Sequence, residues 1–368
     1  MKIPKEIYAI ATLSGTIIGV GLFALPYLAL KLNFWIILSY FLVLGVLAIF
    51  IHLFFGELAL KTPDYKRLPG FARIYLGKKG EKVAYFSTIV GILGALLAYM
   101  IVGGEFFAEL LMPFLGGNLL LYTLLYFSIG AALIFFGIKA IAKVQFWGLI
   151  LFFIILFGIF LRGHFFIEPS HLFSQPDFTY LFLPYGIILF SLWGVSLIPE
   201  AEEMLIDRKK NFLKIIPVSV IVPIIVYLLF IYLILGITGP ETTESALAGL
   251  RHTLGDGVVT LALLFGLITT FTSFIALGLT LKKVFWFDLK FSRGFAWFLT
   301  CFIPLAFYLS GTQSFILVTS FVGGIMLGID GILILLMYKK IKPRHFLILP
   351  LFLILVIGIL YQIIYFIK

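Results

Sequence analysis

Two short stretches decide how this chain folds: Gly21-Leu22-Phe23-Ala24-Leu25-Pro26 and Gly194-Val195-Ser196-Leu197-Ile198-Pro199. Each places a glycine, three residues, a Leu or Ile and a proline inside a hydrophobic run, and the two glycines stand 173 positions apart. Glycine adds backbone freedom and proline removes an N–H donor, so the two together interrupt a helix. Lipid tolerates an interruption only where protein or water satisfies the freed backbone groups. The pair therefore predicts two broken membrane helices, a pattern typical of secondary transporters.

The composition is that of a membrane protein. Hydrophobic residues make up 62% of the 368 residues and charged residues only 12%, whereas about a quarter of the residues of a soluble domain are charged. The mean hydropathy is +1.17. Most of the hydrophobic spans reach the roughly 20 residues that a bilayer core needs. We predict eleven transmembrane helices, at about 7–30, 34–58, 83–112, 119–138, 144–161, 180–204, 212–238, 257–281, 295–309, 313–338 and 345–367.

The basic residues predict the orientation in the membrane. With the N-terminus in the cytoplasm, 23 of the 27 Lys and Arg fall on the cytoplasmic side, and the exceptions are Lys31, Arg162, Arg251 and Lys368. An excess of Lys and Arg in cytoplasmic loops is the rule for membrane proteins. We therefore expect a multi-pass protein of the plasma membrane with an extracytoplasmic C-terminus. The net charge of +10 is then a topology signal, and no nucleic-acid partner is expected.

The order of the spans predicts two halves of opposite sense. Spans 1–5 form a first repeat at about 7–161, spans 6–10 form a second at about 180–338, and 345–367 is an extra helix. Span 1 then runs outward and span 6 runs inward, so the repeats are inverted. The connections are too short for a soluble domain, which predicts a single transmembrane domain over 1–368. A chance coincidence of two Gly-x-x-x-x-Pro matches is the alternative.

Span 1, Ser14-Gly15-Thr16-Ile17-Ile18-Gly19-Val20-Gly21-Leu22-Phe23-Ala24-Leu25-Pro26-Tyr27, resembles the first helix of the amino acid/auxin permease family and its bacterial aromatic amino acid permease relatives. These belong to the amino acid–polyamine–organocation superfamily. Span 6, with Phe190-Ser191-Leu192-Trp193-Gly194, and span 3, with Ala98-Tyr99 and Gly103-Gly104-Glu105, are similar to that family too. The resemblance implies an all-α membrane protein with the LeuT-type 5+5 inverted repeat first seen in a bacterial leucine transporter. Helices 1 and 6 are broken in that fold.

The break in span 1 offers a place for a carboxylate. Gly19 and Gly21 flank Val20, and unwinding there exposes N–H groups that carry positive partial charge. Such a helix terminus holds an anion without an arginine. The unwound part of span 6 offers carbonyls to an ammonium group, so a neutral amino acid is the predicted guest. Close packing of a neighbouring helix is the other interpretation of the glycines.

Phe190 and Trp193 lie just before the second break, where the resemblance implies residues that face the substrate side chain. An aromatic substrate could stack on them. Ordinary core packing is the alternative, since the chain contains 42 Phe. The full set of candidate substrate-binding residues is Thr16, Gly19, Val20, Gly21, Phe190, Trp193 and Gly194.

Span 8 carries hydroxyl groups on one helical face. Thr269, Thr272 and Ser273 stand at i, i+3 and i+4, and hydroxyl oxygens suit a hard cation. The resemblance implies that this face meets span 1 near Gly15 and Ile18, whose carbonyls would complete a sodium site. Helix–helix contact is the alternative role, because Ser and Thr also bond to their own helix.

A proton is the other coupling ion to consider. Glu105 is the candidate proton site, and Lys143 is a second group that proton coupling would involve. The further ionisable residues at membrane depth are His52, Glu57, Glu109 and Asp330. Each is a functional hypothesis because burying it in a membrane is costly.

These features together predict a secondary active transporter: a cation-coupled symporter of neutral, in particular aromatic, L-amino acids that works by alternating access. Its partners are the amino acid and the lipid bilayer, and it needs no cofactor beyond the coupling ion, Na⁺ or H⁺. An amino acid-binding membrane sensor, similar to a germinant-receptor subunit and without net transport, is the second interpretation. The five histidines are scattered and no acid–base cluster accompanies them, so no enzyme is expected.

Overall fold

The computed structural model describes residues 4–62, 66–137, 141–205, 209–250 and 254–367. Short loops and tighter turns join the α-helices of this part of the chain. The basic residues Lys2, Lys139, Arg208, Arg251 and Lys368, which entered the orientation prediction, lie outside it. The helices are α1 Lys5–Ile17, α2 Leu25–Leu32, α3 Phe34–Lys61, α4 Leu68–Leu115, α5 Leu119–Phe136, α6 Ile141–Gly163, α7 Leu183–Ser191, α8 Ile198–Met204, α9 Lys209–Thr238, α10 Asp256–Lys283, α11 Arg293–Leu309, α12 Phe315–Phe321, α13 Gly328–Ile341 and α14 Ile348–Ile367.

Within the described ranges, eight helical segments are long and apolar enough to cross a membrane. The bent pair Lys5–Ile17 and Val20–Leu32, with an angle of 49° between its two parts, makes a ninth. The two other predicted spans, 144–161 and 295–309, correspond to the shorter apolar helices Ile150–Phe166 and Arg293–Leu309. All eleven predicted spans therefore lie on helices, while a total of eleven crossings stays a prediction.

Both predicted breaks are present, and a proline begins the helix that follows each of them. The chain leaves helical geometry at Ile18–Gly19, forms a 3-10 turn over Val20–Ala24 and resumes as α2 with Pro26 in its first turn. The second break has the same order, with the 3-10 turn Val195–Leu197 and then α8 with Pro199 in its first turn. Proline suits a helix start because no N–H donor is needed there. In each motif the helix ends before the glycine and restarts at the proline.

Local chemistry also sets the ends of the other helices. The side chains of Asn33, Asn118, Ser292 and Ser314 accept a backbone N–H at the start of α3, α5, α11 and α12. Such caps satisfy donors that the first turn leaves free. Gly77, with φ 71°, bends the 48-residue α4 near its start, so the first part of α4 lies apart from the predicted span.

The helix α9 packs beside α1, α2 and α3, while α10 packs beside α4 and α6. The helix α13 lies between α3, α4 and α14, and the π-helical segment Val322–Leu327 that precedes it packs against α7. A Cβ on Gly323 of this segment would clash with the Gly186 carbonyl of α7, and a Cβ on Gly186 would clash with the backbone of Ser320. A π-helical turn inside a helix is frequent at functional sites, and this one lies beside the second broken helix.

Lys282 is buried near the end of α10, where it caps α5. Its Nζ donates to the carbonyls of Ile134 at 2.8 Å and Phe135 at 2.9 Å. A cation is favourable at a helix C-terminus, where carbonyls lack partners. The buried charge of Lys282 therefore has a structural role, the capping of α5.

Candidate functional site

The two breaks lie against each other in reversed order. Gly21 faces Ser191, since a Cβ on Gly21 would stand 3.0 Å from the Ser191 Cβ. Gly194 faces Ile17, whose Cγ1 would stand 2.7 Å from a Cβ on Gly194. The start of one break therefore meets the end of the other, and the absence of a side chain at each glycine permits the approach.

Tyr227 of α9 joins the two breaks. Its hydroxyl lies within hydrogen-bond distance of the Ile17 carbonyl, where the first helix ends. The same hydroxyl lies 2.8 Å from the carbonyl of Ser191, where the second helix ends. A carbonyl at a helix end lacks its usual partner, so one phenol group, with a single proton to donate, lies at a carbonyl from each broken helix.

A second tyrosine, Tyr99 of α4, contacts the first break from the other side. Its hydroxyl oxygen would stand 2.6 Å from a Cβ on Gly19. The same hydroxyl lies beside the backbone of Val20 and the side chain of Ser273 on α10. Ser273, a predicted ion-binding residue, is thus linked to the first break through Tyr99.

His52 of α3 holds the second break. Its Nε2 accepts a hydrogen bond from the backbone N–H of Gly194 at 2.9 Å, and its Nδ1 lies 2.7 Å from the Ala48 carbonyl. Because Nε2 accepts, the ring proton must be on Nδ1, from which it is donated to Ala48. The imidazole is therefore neutral in this arrangement, and both of its nitrogens are engaged.

Aromatic rings surround the first break. Phe23, in the 3-10 turn, makes edge-on contacts with Phe106 of α4 at a centroid distance of 4.9 Å and with Phe230 of α9 at 6.2 Å. Trp193, at the second break, packs edge-on against His52 at 6.0 Å. Such environments suit a further aromatic ring, because edge-on and offset contacts between rings are favourable.

The two aromatic residues predicted at the second break occupy different places. Phe190 packs against Gly323 of the π-helical segment, where a Cβ on Gly323 would stand 2.8 Å from the Phe190 Cβ. Trp193 lies near Gly331 of α13 as well as His52. Both side chains are half-buried. The structure thus places Phe190 and Trp193 along the boundary between the second broken helix and the helix that contains Gly323 and Gly331.

The hydroxyl groups of the predicted ion face differ in what they contact. Thr272 donates to the Thr269 carbonyl on its own helix at 3.1 Å, and Thr16 donates to the Thr12 carbonyl at 3.0 Å. Ser273 alone of the three predicted hydroxyls on α10 is placed beside the Tyr99 hydroxyl. On span 1, the predicted residue Ile18 lies at the break and Gly15 lies one turn before it, in α1.

Of the candidate proton sites, Glu105 lies on α4 beside the segment that joins α9 to α10. It is half-buried next to Ser245 of that segment, with Glu109 and Glu244 nearby. The side chain of Lys143 lies outside the described part of the chain. Among the described residues, no group of three or more His, Cys, Asp or Glu side chains is placed to hold a metal ion.

A polar cluster formed by Glu57, Tyr338 and Lys342 joins α3 to the end of α13, and we call it the Glu57 cluster. The Lys342 Nζ lies 2.7 Å from a Glu57 oxygen, and the Tyr338 hydroxyl donates to Glu57 at 3.1 Å. The hydrogen bond to Glu57 raises the pKa of Lys342, which lies in the loop after α13. Phe54 stacks on Tyr338 at a centroid distance of 3.9 Å.

Sequence reasoning did not assign Tyr227, Tyr99 or His52 to the site. His52 carried a signal, as an ionisable residue at membrane depth, and Tyr99 belonged to a stretch that resembled the family. Tyr227 carried none, because it is a single tyrosine within an apolar run and its partners Ile17 and Ser191 are 210 and 36 positions away.

Comparison with known proteins agrees with this architecture. The chain is similar to the tyrosine-specific transport system 1 of Haemophilus influenzae (strain ATCC 51907 / DSM 11121 / KW20 / Rd), with 25% identity over 342 residues that cover 87% of this chain and 84% of the relative. Two solved structures share its fold. One is Mhp1, a nucleobase-cation-symport-1 family transporter in a closed conformation with bromovinylhydantoin bound, with a TM-score of 0.67 at 15% identity over 89% of this chain and 77% of the other. The other is MhsT in complex with L-phenylalanine, with a TM-score of 0.64 at 14% identity over 96% and 98% of the two chains.

The model of the tryptophan/tyrosine permease family matches residues 2–365. The family and the Haemophilus relative are transporters and not enzymes, and the chain shares its fold with the two solved structures. This multi-pass membrane transporter thus belongs to the tryptophan/tyrosine permease family.

Proposed function

We propose that the protein carries aromatic L-amino acids, tyrosine or tryptophan, into the cell by cation-coupled symport with alternating access. The observation that carries this proposal is the meeting of the two helix breaks at Tyr227, beside the rings of Phe23 and Trp193. The family and the name of the Haemophilus relative support the substrate class. The sensor interpretation is not favoured, since these relatives are transporters.

The substrate zwitterion fits the polar backbone at the breaks. Its carboxylate is held by N–H groups at Val20 and Gly21, where the helix dipole is positive. Its ammonium is held by carbonyls of the kind that Tyr227 now engages at Ile17 and Ser191. Thr16 and Gly194 border this region, and the substrate ring extends toward Phe190 and Trp193.

The arrangement of the protein in the membrane is part of the proposal. Eleven crossings in a 5+5 inverted repeat plus one helix, with a cytoplasmic N-terminus, place the two breaks at the midplane. The reversed order of the contacts Gly21–Ser191 and Ile17–Gly194 supports two halves of opposite sense. The broader relationship to the amino acid–polyamine–organocation superfamily follows from the resemblance of spans 1, 3 and 6.

Two coupling ions can be weighed. A sodium site would use the carbonyls of Gly15 and Ile18 with Thr269, Thr272 and Ser273. The Thr272 hydroxyl donates its proton to its own helix, which leaves its oxygen lone pairs for a cation, and Ser273 lies beside the Tyr99 hydroxyl. We propose the proton as the coupling ion and keep sodium as the alternative, and an ion-replacement experiment decides between them.

Uptake into proteoliposomes tests the proposed function. Purified full-length protein should accumulate labelled tyrosine or tryptophan when a pH gradient, acid outside, is imposed. Excess unlabelled tyrosine, tryptophan or phenylalanine should compete, whereas lysine and glutamate should not. Protein-free liposomes are the control. Binding without uptake or exchange would contradict the proposal and return the sensor interpretation.

A further inference from the structure

Asp330 is a buried carboxyl group that the site described above does not use. It lies in the first turn of α13 and is 6% exposed. The described elements packed around α13 are α3, α4, α14 and the π-helical segment. A charge in such a place is costly, so an acid buried within a membrane bundle is a functional hypothesis by default.

The partner of Asp330 is the hydroxyl of Ser87 on α4, which is fully buried. The Ser87 Oγ also lies 3.2 Å from the Ala84 carbonyl. A hydroxyl has one proton, so it can donate to only one of these two acceptors at a time. With the carboxyl protonated, Asp330 donates to Ser87 and Ser87 donates to Ala84. With the carboxyl ionised, the Ser87 hydroxyl donates to Asp330 instead of to Ala84. The pair therefore accommodates both protonation states without moving a helix.

Other ionisable groups on the surrounding helices do not neutralise Asp330. Across the described residues of α3, α4, α13 and α14, Ser87 is the side chain that hydrogen-bonds to Asp330. The cations of these helices include Lys61 of α3, Arg73, Lys78, Lys79 and Lys82 of α4, and Lys339 and Lys340 of α13, and within the described residues none of them forms an ion pair with Asp330. His52 is engaged with Gly194 and Ala48, and Glu57 with Lys342 and Tyr338. An ionised Asp330 would thus have no compensating cation, whereas a neutral one is satisfied by Ser87.

Asp330 also lies close to the second break. Its neighbour Gly331 faces Trp193 at the second break, with 3.6 Å between a Cβ on Gly331 and the Trp193 ring. Tyr338 of the Glu57 cluster follows two turns further along α13. A movement of α13 against α4 would therefore alter the surroundings of Asp330, the second break and the Glu57 cluster together.

We propose that Asp330, with Ser87 as its hydrogen-bonding partner, is the site that binds the coupling proton and releases it on the other side of the membrane. The inference rests on the proposed symport function. A proton taken up by the Asp330 carboxylate gives the neutral acid, and its release restores the carboxylate. No other bond forms or breaks.

The variant Asp330→Asn tests this site in the full-length protein in proteoliposomes. Asparagine keeps the shape and can still bond to Ser87, but it cannot release a proton. Exchange of labelled for unlabelled tyrosine without a gradient should persist in this variant. Accumulation driven by a pH gradient should fall to the level seen without a gradient. Asp177→Asn, at an exposed position whose side chain accepts from the Thr179 backbone, is the matched control and should accumulate tyrosine normally.

The outcomes separate the two proposals. Wild-type protein that neither exchanges nor accumulates aromatic amino acids overturns the proposed function. If Asp330→Asn accumulates substrate as the wild type does, the role of Asp330 is overturned and the transport function is not. The same conclusion follows if Glu105→Gln loses gradient-driven accumulation and Asp330→Asn keeps it.

A second pair of variants keeps the test valid if Asp330→Asn does not fold. Ser87→Ala retains the carboxyl but removes its partner, so the midpoint of the pH dependence of uptake should move by about one pH unit. Thr88→Ala removes the neighbouring hydroxyl, which has no hydrogen-bond partner in the described structure, and should leave the midpoint unchanged. Equal midpoints in wild type and Ser87→Ala would overturn the proposal.

Discussion

Gly21 lies directly against Ser191, with no room for a Cβ between them, and this contact sets how closely the two broken helices approach. Gly21 belongs to the first half of the chain and Ser191 to the second, so this contact also connects the two halves. Its closeness makes the position sensitive to a single methyl group.

Gly21→Ala should therefore reduce tyrosine uptake strongly and lower stability by about 1–3 kcal/mol, the usual cost of overpacking. The double variant Gly21→Ala with Ser191→Gly should recover part of the uptake and part of the stability, because it removes the opposing side chain. Gly158→Ala, in α6 with open space around it, is the matched control. Uptake assays and thermal unfolding in detergent measure the effects. Normal uptake by Gly21→Ala would contradict the view that the two breaks are too close to admit a methyl group between them.

Tyr227→Phe keeps the ring and removes the hydroxyl that serves Ile17 and Ser191. The buried carbonyls then lose the one proton that they share, which should cost about 1–3 kcal/mol of stability and reduce uptake. Tyr232→Phe, at a 40% exposed position on the same helix, should change neither. If the two variants behave alike, the shared hydrogen bonds at the breaks are not important for transport.

His52 should tolerate only residues that accept a hydrogen bond from Gly194. His52→Gln offers an amide oxygen in place of Nε2 and should retain a substantial part of tyrosine binding, whereas His52→Met, of similar size, should lose it. Binding can be followed by thermal shift with tyrosine. Equal loss in both variants would point to ring packing against Trp193 instead.

The coupling ion can be read from uptake in defined salts. We expect uptake at fixed pH to be unchanged when choline replaces sodium and to collapse when a protonophore is added. The double variant Thr272→Val with Ser273→Ala should then show no altered response to sodium. Uptake that requires sodium, with a requirement that this variant loses, would assign coupling to the α10 hydroxyls.

The orientation predicts where the termini lie. With the proposed eleven crossings after a cytoplasmic N-terminus, a reporter active only in the cytoplasm should be silent when fused after Lys368. The same reporter should be active when fused at the N-terminus or inserted after Lys342. A bright C-terminal fusion would contradict the count of eleven.

The sequence located the breaks because glycine and proline act on the backbone of their own segment. Both interruptions, and a helix at every predicted span, follow from such local rules. The contacts that hold the breaks do not, since Tyr227, His52 and Tyr99 reach them across the bundle. Likewise, the spacing of Thr269, Thr272 and Ser273 gave their common face but could not tell that Thr272 donates to its own helix.

The predicted roles of Gly19 and Gly21 illustrate the same limit. Their lack of a side chain left two interpretations open, room for a carboxylate or room for a neighbouring helix. The Tyr99 hydroxyl lies against Gly19 and Ser191 lies against Gly21. Close packing is thus present at both glycines, and the N–H groups of the break remain the proposed carboxylate site.

The Tyr227 hydroxyl occupies the same two carbonyls that the proposed function assigns to the substrate ammonium. In the proposed binding mode, an ammonium group at the Ile17 and Ser191 carbonyls meets oxygens that already lie against the Tyr227 hydroxyl. Wherever it displaces the tyrosine, one hydrogen bond is exchanged for another and none is gained. On release of the substrate, we expect the Tyr227 hydroxyl to return to these carbonyls, so that they are not left without a partner within the bilayer.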